Sequence, residues 1–185
     1  MVRSVAVIVW AIGVAAPGVP ESTATVYAER IQKEAKRYEI DPFTLVSIIR
    51  NESRFRASAV SKDGEDHGLG QIRARFYGAC RKDADPVKNP SDACKAVKSM
   101  LLHGPTNIGH VARAIDRWRK TCRKITGKPA LFKRWLHGYG GMGSFKRGIM
   151  CGQKKSRRGK WRDLPVRKLL KRIMNYRIML IRKQP

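Results

Sequence analysis

The stretch Asp41-Pro42-Phe43-Thr44-Leu45-Val46-Ser47-Ile48-Ile49-Arg50-Asn51-Glu52-Ser53 decides how this chain is read. Asp41 supplies a side-chain acceptor for the unpaired N–H groups of a helix start, and Pro42 takes the first helical position, where a missing N–H costs nothing. Leu45, Ile48, Ile49 and Glu52 then fall at i, i+3, i+4 and i+7, so a carboxylate ends a buried apolar stripe. A carboxyl partly withdrawn from water has its charged form disfavoured and holds a proton nearer neutral pH. General acid chemistry needs that state. The competing reading is a Glu at a frayed helix end, turned into solvent.

On either side the chain reads as successive helices. Tyr27, Ile31, Ala35 and Tyr38 recur at helical spacing and predict an amphipathic helix ending before Asp41. Ala93, Val97, Met100 and Leu101 predict another, begun by Asn89 and Pro90. Ile108, Val111, Ala112, Ile115 and Trp118 predict a longer one capped by Asn107. Leu131, Phe132, Trp135 and Leu136 suit a short helix running into the glycine-rich segment Gly138 to Gly143. Val166, Leu169, Leu170, Ile173 and Leu180 stripe the last helix. No region keeps a strand period for long, although Gly68 to Ile72 suits a short strand or turn. The 185 residues, 42% hydrophobic and without low-complexity stretches or internal repeats, fit one folded domain.

At the N-terminus, Arg3 precedes the apolar run Val5 to Ala16, which is too short to span a bilayer and ends at Pro17, Gly18 and Pro20. Residues 1–20 are therefore expected to be a signal peptide cleaved near Ala16, leaving 21–185 as a periplasmic or secreted catalytic domain with a basic C-terminal helix. An uncleaved anchor or a buried first helix are the alternatives.

Cys80, Cys94, Cys122 and Cys151 contain no Cys-x-x-Cys pair and no zinc-finger His spacing, so no metal is expected. Export favours two disulfides. Three pairings are possible, and Cys80–Cys94 with Cys122–Cys151 joins nearest neighbours.

Forty Lys and Arg against 14 Asp and Glu give a net charge of +26. Beyond Asp92 only Asp116 and Asp163 are acidic. Such a field binds polyanions, among which the anionic cell wall, anionic lipid and nucleic acid are the candidates. A solvated surface that keeps the chain soluble is the plainer account.

After Glu52 come Ser53 and Phe55, then Ala59-Val60-Ser61, Gly64 and Gly68-Leu69-Gly70-Gln71-Ile72. In this order the chain resembles the soluble lytic transglycosylase domain, a lysozyme-like family that joins a Glu-Ser pair to an Ala-x-Ser segment and a Gly-Leu-Met-Gln-type turn. The resemblance is close from Tyr38 to Ile72 and looser as far as Tyr176. Gly70 stands where the family commonly has Met. Trp135-Leu136-His137-Gly138-Tyr139 is the counterpart of the family's Ala-Tyr-Asn-x-Gly segment, with His137 in place of Asn.

The resemblance implies a mainly α, lysozyme-like helical domain with a small irregular or β-turn segment beside the active-site cleft. It implies Glu52 as the single catalytic acid and base, with Ser53, Gln71, His137, Tyr139 and Tyr176 at the substrate. Trp135 suits a sugar face or the core equally, and Tyr176 suits a core tyrosine as well as the site. The implied reaction protonates the oxygen between N-acetylmuramic acid and N-acetylglucosamine and uses the muramic acid C6 hydroxyl as nucleophile, leaving a 1,6-anhydro end. It needs one carboxylate and no cofactor. The expected partner is the peptidoglycan glycan strand within an anionic wall, met by a monomer, with no nucleic acid.

Two other readings stay open. Goose-type lysozymes resemble this domain and hydrolyse the same bond with helper acids, for which Asp63, Glu65 and Asp66 are candidates, although a solvated acidic loop explains that run equally. A protein acting by charge alone, on wall, membrane or nucleic acid, would rely on the basic C-terminal region and be indifferent to Glu52.

Overall fold

The computed structural model describes residues 3–126, 132–139, 149–156, 159–166 and 168–185. Among them the chain forms seven α-helices and two small antiparallel sheets, so the mainly α expectation holds. The helices are α1 (Val5–Ala15), α2 (Glu21–Tyr38), α3 (Pro42–Ser53), α4 (Asp92–Leu102), α5 (Gly104–Thr126), α6 (Phe132–Tyr139) and α7 (Lys168–Lys183). Strands β1 (Asp66–His67) and β2 (Ile72–Arg73) form one hairpin, and β3 (Ile149–Met150), β4 (Gln153–Lys155) and β5 (Trp161–Asp163) form a meander. The chain divides into two compact units, residues 1–112 with 176–185, and residues 113–175.

The first unit is built on α3. Asp41 caps it as its sequence predicts, accepting from the Phe43 N–H at 3.4 Å, and Phe43, Leu45, Val46, Ile48 and Ile49 are fully buried. Asp41 is also gripped by Arg3 at 3.2 Å and Arg177 at 2.8 Å, which ties both chain ends to the helix start. Packed on α2 and α3 lies α1, whose Ile8, Ala11 and Ile12 are fully buried and whose Trp10 ring sits 6.4 Å from that of Phe43. No described helix is long and apolar enough to cross a membrane.

Close approach between α2 and α5 requires small residues. A Cβ on Gly104 would overlap the Tyr27 ring, and one on Gly109 would press on the Arg30 guanidinium. Arg30 in turn pairs at 2.8 Å with Glu34, which is buried and needs that partner.

Two helix starts differ from expectation. Helix α4 begins at Asp92 under a Ser91 cap whose hydroxyl accepts from the Cys94 N–H at 3.2 Å, two residues after Pro90. Helix α5 begins at Gly104, so Asn107 is not its cap but lies inside its first turn with its side chain fully buried.

In the second unit, α6 places Trp135, Leu136 and His137 in the core, and Gly138 meets the Trp118 ring so closely that a Cβ would overlap it. The β3–β5 meander was not legible from the sequence because strands of two or three residues carry no measurable period. The expectations for Leu131 and for residues 140–143 lie outside the described residues.

Each unit contains one disulfide, Cys80–Cys94 in the first and Cys122–Cys151 in the second, as nearest-neighbour pairing predicts. Closing loops of these lengths stabilises a fold by about 3 kcal/mol each.

Candidate active site

Glu52 occupies the last turn of α3 and is half-buried at the end of the apolar stripe. Burial pushes its pKa from 4.5 up to about 7, the nearby Asp66 charge pushes the same way, and the Asn51 amide, 3.5 Å from Oε1, opposes both. Near neutral pH the group is thus divided between acid and base forms, as a residue that must give and then take a proton requires.

The chain leaves α3 through two consecutive left-handed residues, Arg54 at φ +54° and Phe55 at φ +63°. Neither is glycine, so the surroundings must hold this geometry against a cost of about 1 to 3 kcal/mol for each. The Arg54 N–H donates to the Arg50 carbonyl at 3.1 Å, both the N–H and the Nε of Arg56 donate to the Ser53 carbonyl at 3.2 Å, and the buried Phe55 ring stacks on Tyr27. The position of Glu52 is fixed at both ends of its turn.

The hairpin that follows is organised by Asn107. Its Oδ1 accepts from the Gly70 N–H at 2.7 Å, and its Nδ2 donates to the carbonyls of His67 at 2.9 Å and Leu101 at 2.7 Å. Gly68 has φ +75°, and a Cβ there would collide with the Leu101 carbonyl and the Asn107 amide, so no other residue fits. Gln71, also left-handed at φ +48°, donates from Nε2 to the carbonyls of Ala59 at 3.2 Å and Gly68 at 3.0 Å. Its amide therefore braces the turn from which it projects.

The acidic run is a set of internal pairs. Asp66 takes a two-point contact from Arg73 at 3.0 and 3.2 Å, Glu65 pairs with Arg75, and Asp63 accepts from the Ser61 hydroxyl and the Glu65 N–H. The Ser61 hydroxyl, ahead of the Glu65 N–H, holds the Asp63 carboxyl below its ordinary value. His67 is buried, with Nδ1 3.2 Å from the Glu65 carbonyl, and burial lowers its pKa.

Glu52, Ser53, Gln71 and Tyr176 all belong to the first unit. Ser53 is buried, and its hydroxyl donates back along the helix to the Ile49 carbonyl at 3.3 Å. Tyr176 reaches α3 at Arg50, whose guanidinium stacks 4.0 Å from the ring centre; burial raises the phenol's pKa and Arg50 opposes that rise. The Tyr176 hydroxyl oxygen is buried without a hydrogen bond among the described residues. His137 and Tyr139 belong to the second unit, where the buried His137 ring packs against Gly152. Asn107 reads as a helix cap in the sequence because Asn is favoured at that position. Its glycine-rich partner segment some 40 residues earlier was the one available signal.

A family model, the transglycosylase SLT domain, matches residues 29–116. Over that segment the chain is similar to the transglycosylase SLT domain. The match starts on α2, takes in α3, the hairpin and α4, and ends on α5, so it contains Glu52, Gln71 and Asn107. No curated protein and no solved structure matches the chain. An SLT domain implies transglycosylase-type action on peptidoglycan.

Proposed function

We propose that this protein is an exported lytic transglycosylase that cleaves the β-1,4 bond between N-acetylmuramic acid and N-acetylglucosamine, with Glu52 as acid and then base. The observation that carries the reading is a carboxyl held near pKa 7 on the SLT domain, beside a hairpin braced by Asn107 and Gln71. Protonated Glu52 gives its proton to the leaving glycosidic oxygen. Ionised Glu52 then takes the proton from the muramic acid C6 hydroxyl as that oxygen bonds to C1, which closes the 1,6-anhydro ring without water. The nucleophile belongs to the substrate, so high effective concentration replaces a second carboxylate. No step calls for a metal or a cofactor.

Hydrolysis with Asp66 as helper is the second reading, favoured by that carboxylate's electrostatic influence on Glu52. Against it, both Asp66 oxygens are engaged by Arg73. Mass spectrometry of fragments released from purified peptidoglycan separates the two. Transglycosylation gives anhydro ends one water lighter than the reducing ends of hydrolysis, and reducing ends alone would refute the lyase assignment.

Export by residues 1–20 belongs to the same proposal. In the fold, α1 covers apolar surface of α2 and α3, so removing it would expose that face. N-terminal sequencing of protein recovered outside the cytoplasm distinguishes a cleaved leader from a retained helix. A chain found wholly in the cytoplasm would contradict export.

A further inference from the structure

The next carboxylates along the chain from Glu52 are Asp63, Glu65 and Asp66, and each is already engaged by a neighbour. Asp63 accepts from the Ser61 hydroxyl and the Glu65 N–H, Glu65 accepts from the Arg75 Nε at 2.8 Å, and Asp66 takes Arg73 on both oxygens at 3.0 and 3.2 Å. Asp66 is close enough to Glu52 for its charge to reach that carboxyl.

Backbone register sets the Asp66–Arg73 contact. Strands β1 and β2 pair antiparallel with Asp66 directly opposite Arg73 and His67 opposite Ile72. Opposed residues project on the same face of a hairpin, so a slip of one residue would send these two side chains to opposite faces. The turn pins the register, because Gly68 admits no Cβ and Asn107 holds the Gly70 N–H and the His67 carbonyl. Beyond the pair, the Ala74 N–H donates to the Glu65 carbonyl at 2.9 Å. The planar fork of Arg73 meets the carboxylate at two points, which fixes the direction of both oxygens. With Arg73 half-exposed, the pair adds little to stability, and its consequence lies in what Asp66 is kept from touching.

Two nucleophiles compete for C1 of the muramic acid in the proposed reaction. The C6 hydroxyl of the same sugar needs no base besides Glu52, whereas water needs a second carboxylate to orient it and take its proton. We infer that Arg73 is the positioning residue that keeps the reaction a transglycosylation, by holding both Asp66 oxygens away from water. The inference rests on the lyase reading of the site. Freed from Arg73, Asp66 takes a proton from water as the water oxygen bonds to C1. The bond from C1 to the glycosidic oxygen breaks, and Glu52 gives its proton to that oxygen. One water is consumed and a reducing end replaces the anhydro end, after which Asp66 loses its proton to solvent and Glu52 regains one.

The test digests purified peptidoglycan with full-length wild type, Arg73→Gln, Arg73→Lys, Arg75→Gln and the double variant Arg73→Gln with Asp66→Asn, and counts reducing against anhydro ends by mass spectrometry. That ratio does not depend on how much of the enzyme is active, so a merely structural loss leaves it in place. Arg73→Gln should raise the ratio of reducing to anhydro ends by about 10²-fold, the contribution of a modest general base, and Arg73→Lys by less. Arg75→Gln should keep the wild-type ratio because Asp66 stays paired, and adding Asp66→Asn to Arg73→Gln should restore the anhydro product. An unchanged ratio in Arg73→Gln, at any rate of cleavage, overturns the inference. If Arg73→Gln does not fold, Arg73→Lys carries the test, and an unchanged ratio there overturns it equally. An equal rise in Arg75→Gln, or a rise in Arg73→Gln that survives Asp66→Asn, would show that a loosened hairpin admits water without Asp66 and overturns it as well. Wild type releasing reducing ends alone would instead overturn the lyase reading itself.

Discussion

The two units of this molecule divide the charge unevenly. Residues 1–112 with 176–185 contain 19 Lys and Arg against 12 Asp and Glu, whereas residues 113–175 contain 21 against two. In the first unit the acids have specific work: Asp41 joins the chain ends, Glu34 neutralises Arg30, the hairpin acids pair with arginines, and Glu52 is left to titrate. In the second, two acids cannot balance 21 bases, and an excess of that sign attracts polyanions. The proposed function assigns the chemistry to the first unit and the attraction to the wall to the second.

The largest expected effect separates these roles. Glu52→Gln should reduce cleavage of purified walls by about 10³-fold while wall binding in a pull-down stays unchanged. Equal loss of both would break the division.

Next is Asn107→Ala, which strands the Gly70 N–H and the His67 and Leu101 carbonyls in the interior. Chemical unfolding should show a loss of about 3 kcal/mol. A loss below 1 kcal/mol would mean that the hairpin is held by other contacts.

The smallest effect sharpens the role of the second unit. Raising salt from about 50 to 500 mM shortens the screening length to a few ångströms, so wall binding by Glu52→Gln should weaken several-fold. Salt-independent binding would remove the electrostatic account.

How much of this was legible varied with the range of the interactions involved. The α3 start and stripe were readable because Asp41, Pro42 and the apolar spacing act within a few residues. Both disulfides followed from nearest-neighbour pairing. The raised pKa of Glu52 was legible as a direction because a carboxylate on a buried stripe must be desolvated. Asn107 was not, since its function is defined by carbonyls and an N–H supplied by other segments, and its residue type fits a cap equally well. The docking of α1 was hidden for a related reason. A short apolar run satisfies a leader and a packed helix alike, and only Ile8, Ala11 and Ile12 in contact with α2 and α3 show the packing. The left-handed exit at Arg54 and Phe55 was not legible either, because no propensity forecasts it for those residue types.

The titration of Glu52 also bears on stability. Its folded pKa of about 7 lies above the ordinary 4.5, so its protonated form contributes stability that is fully present below about pH 4.5 and lost as pH rises to about 7. The most direct measurement is a pH titration of the Glu52 carboxyl carbon by NMR in the intact protein, with Glu52→Gln to assign the signal and Asp66→Asn to remove the neighbouring charge. The account predicts a midpoint near 7 that falls in Asp66→Asn. A midpoint near 4.5 in the wild type would contradict it, because a fully ionised carboxylate at neutral pH has no proton to give the glycosidic oxygen.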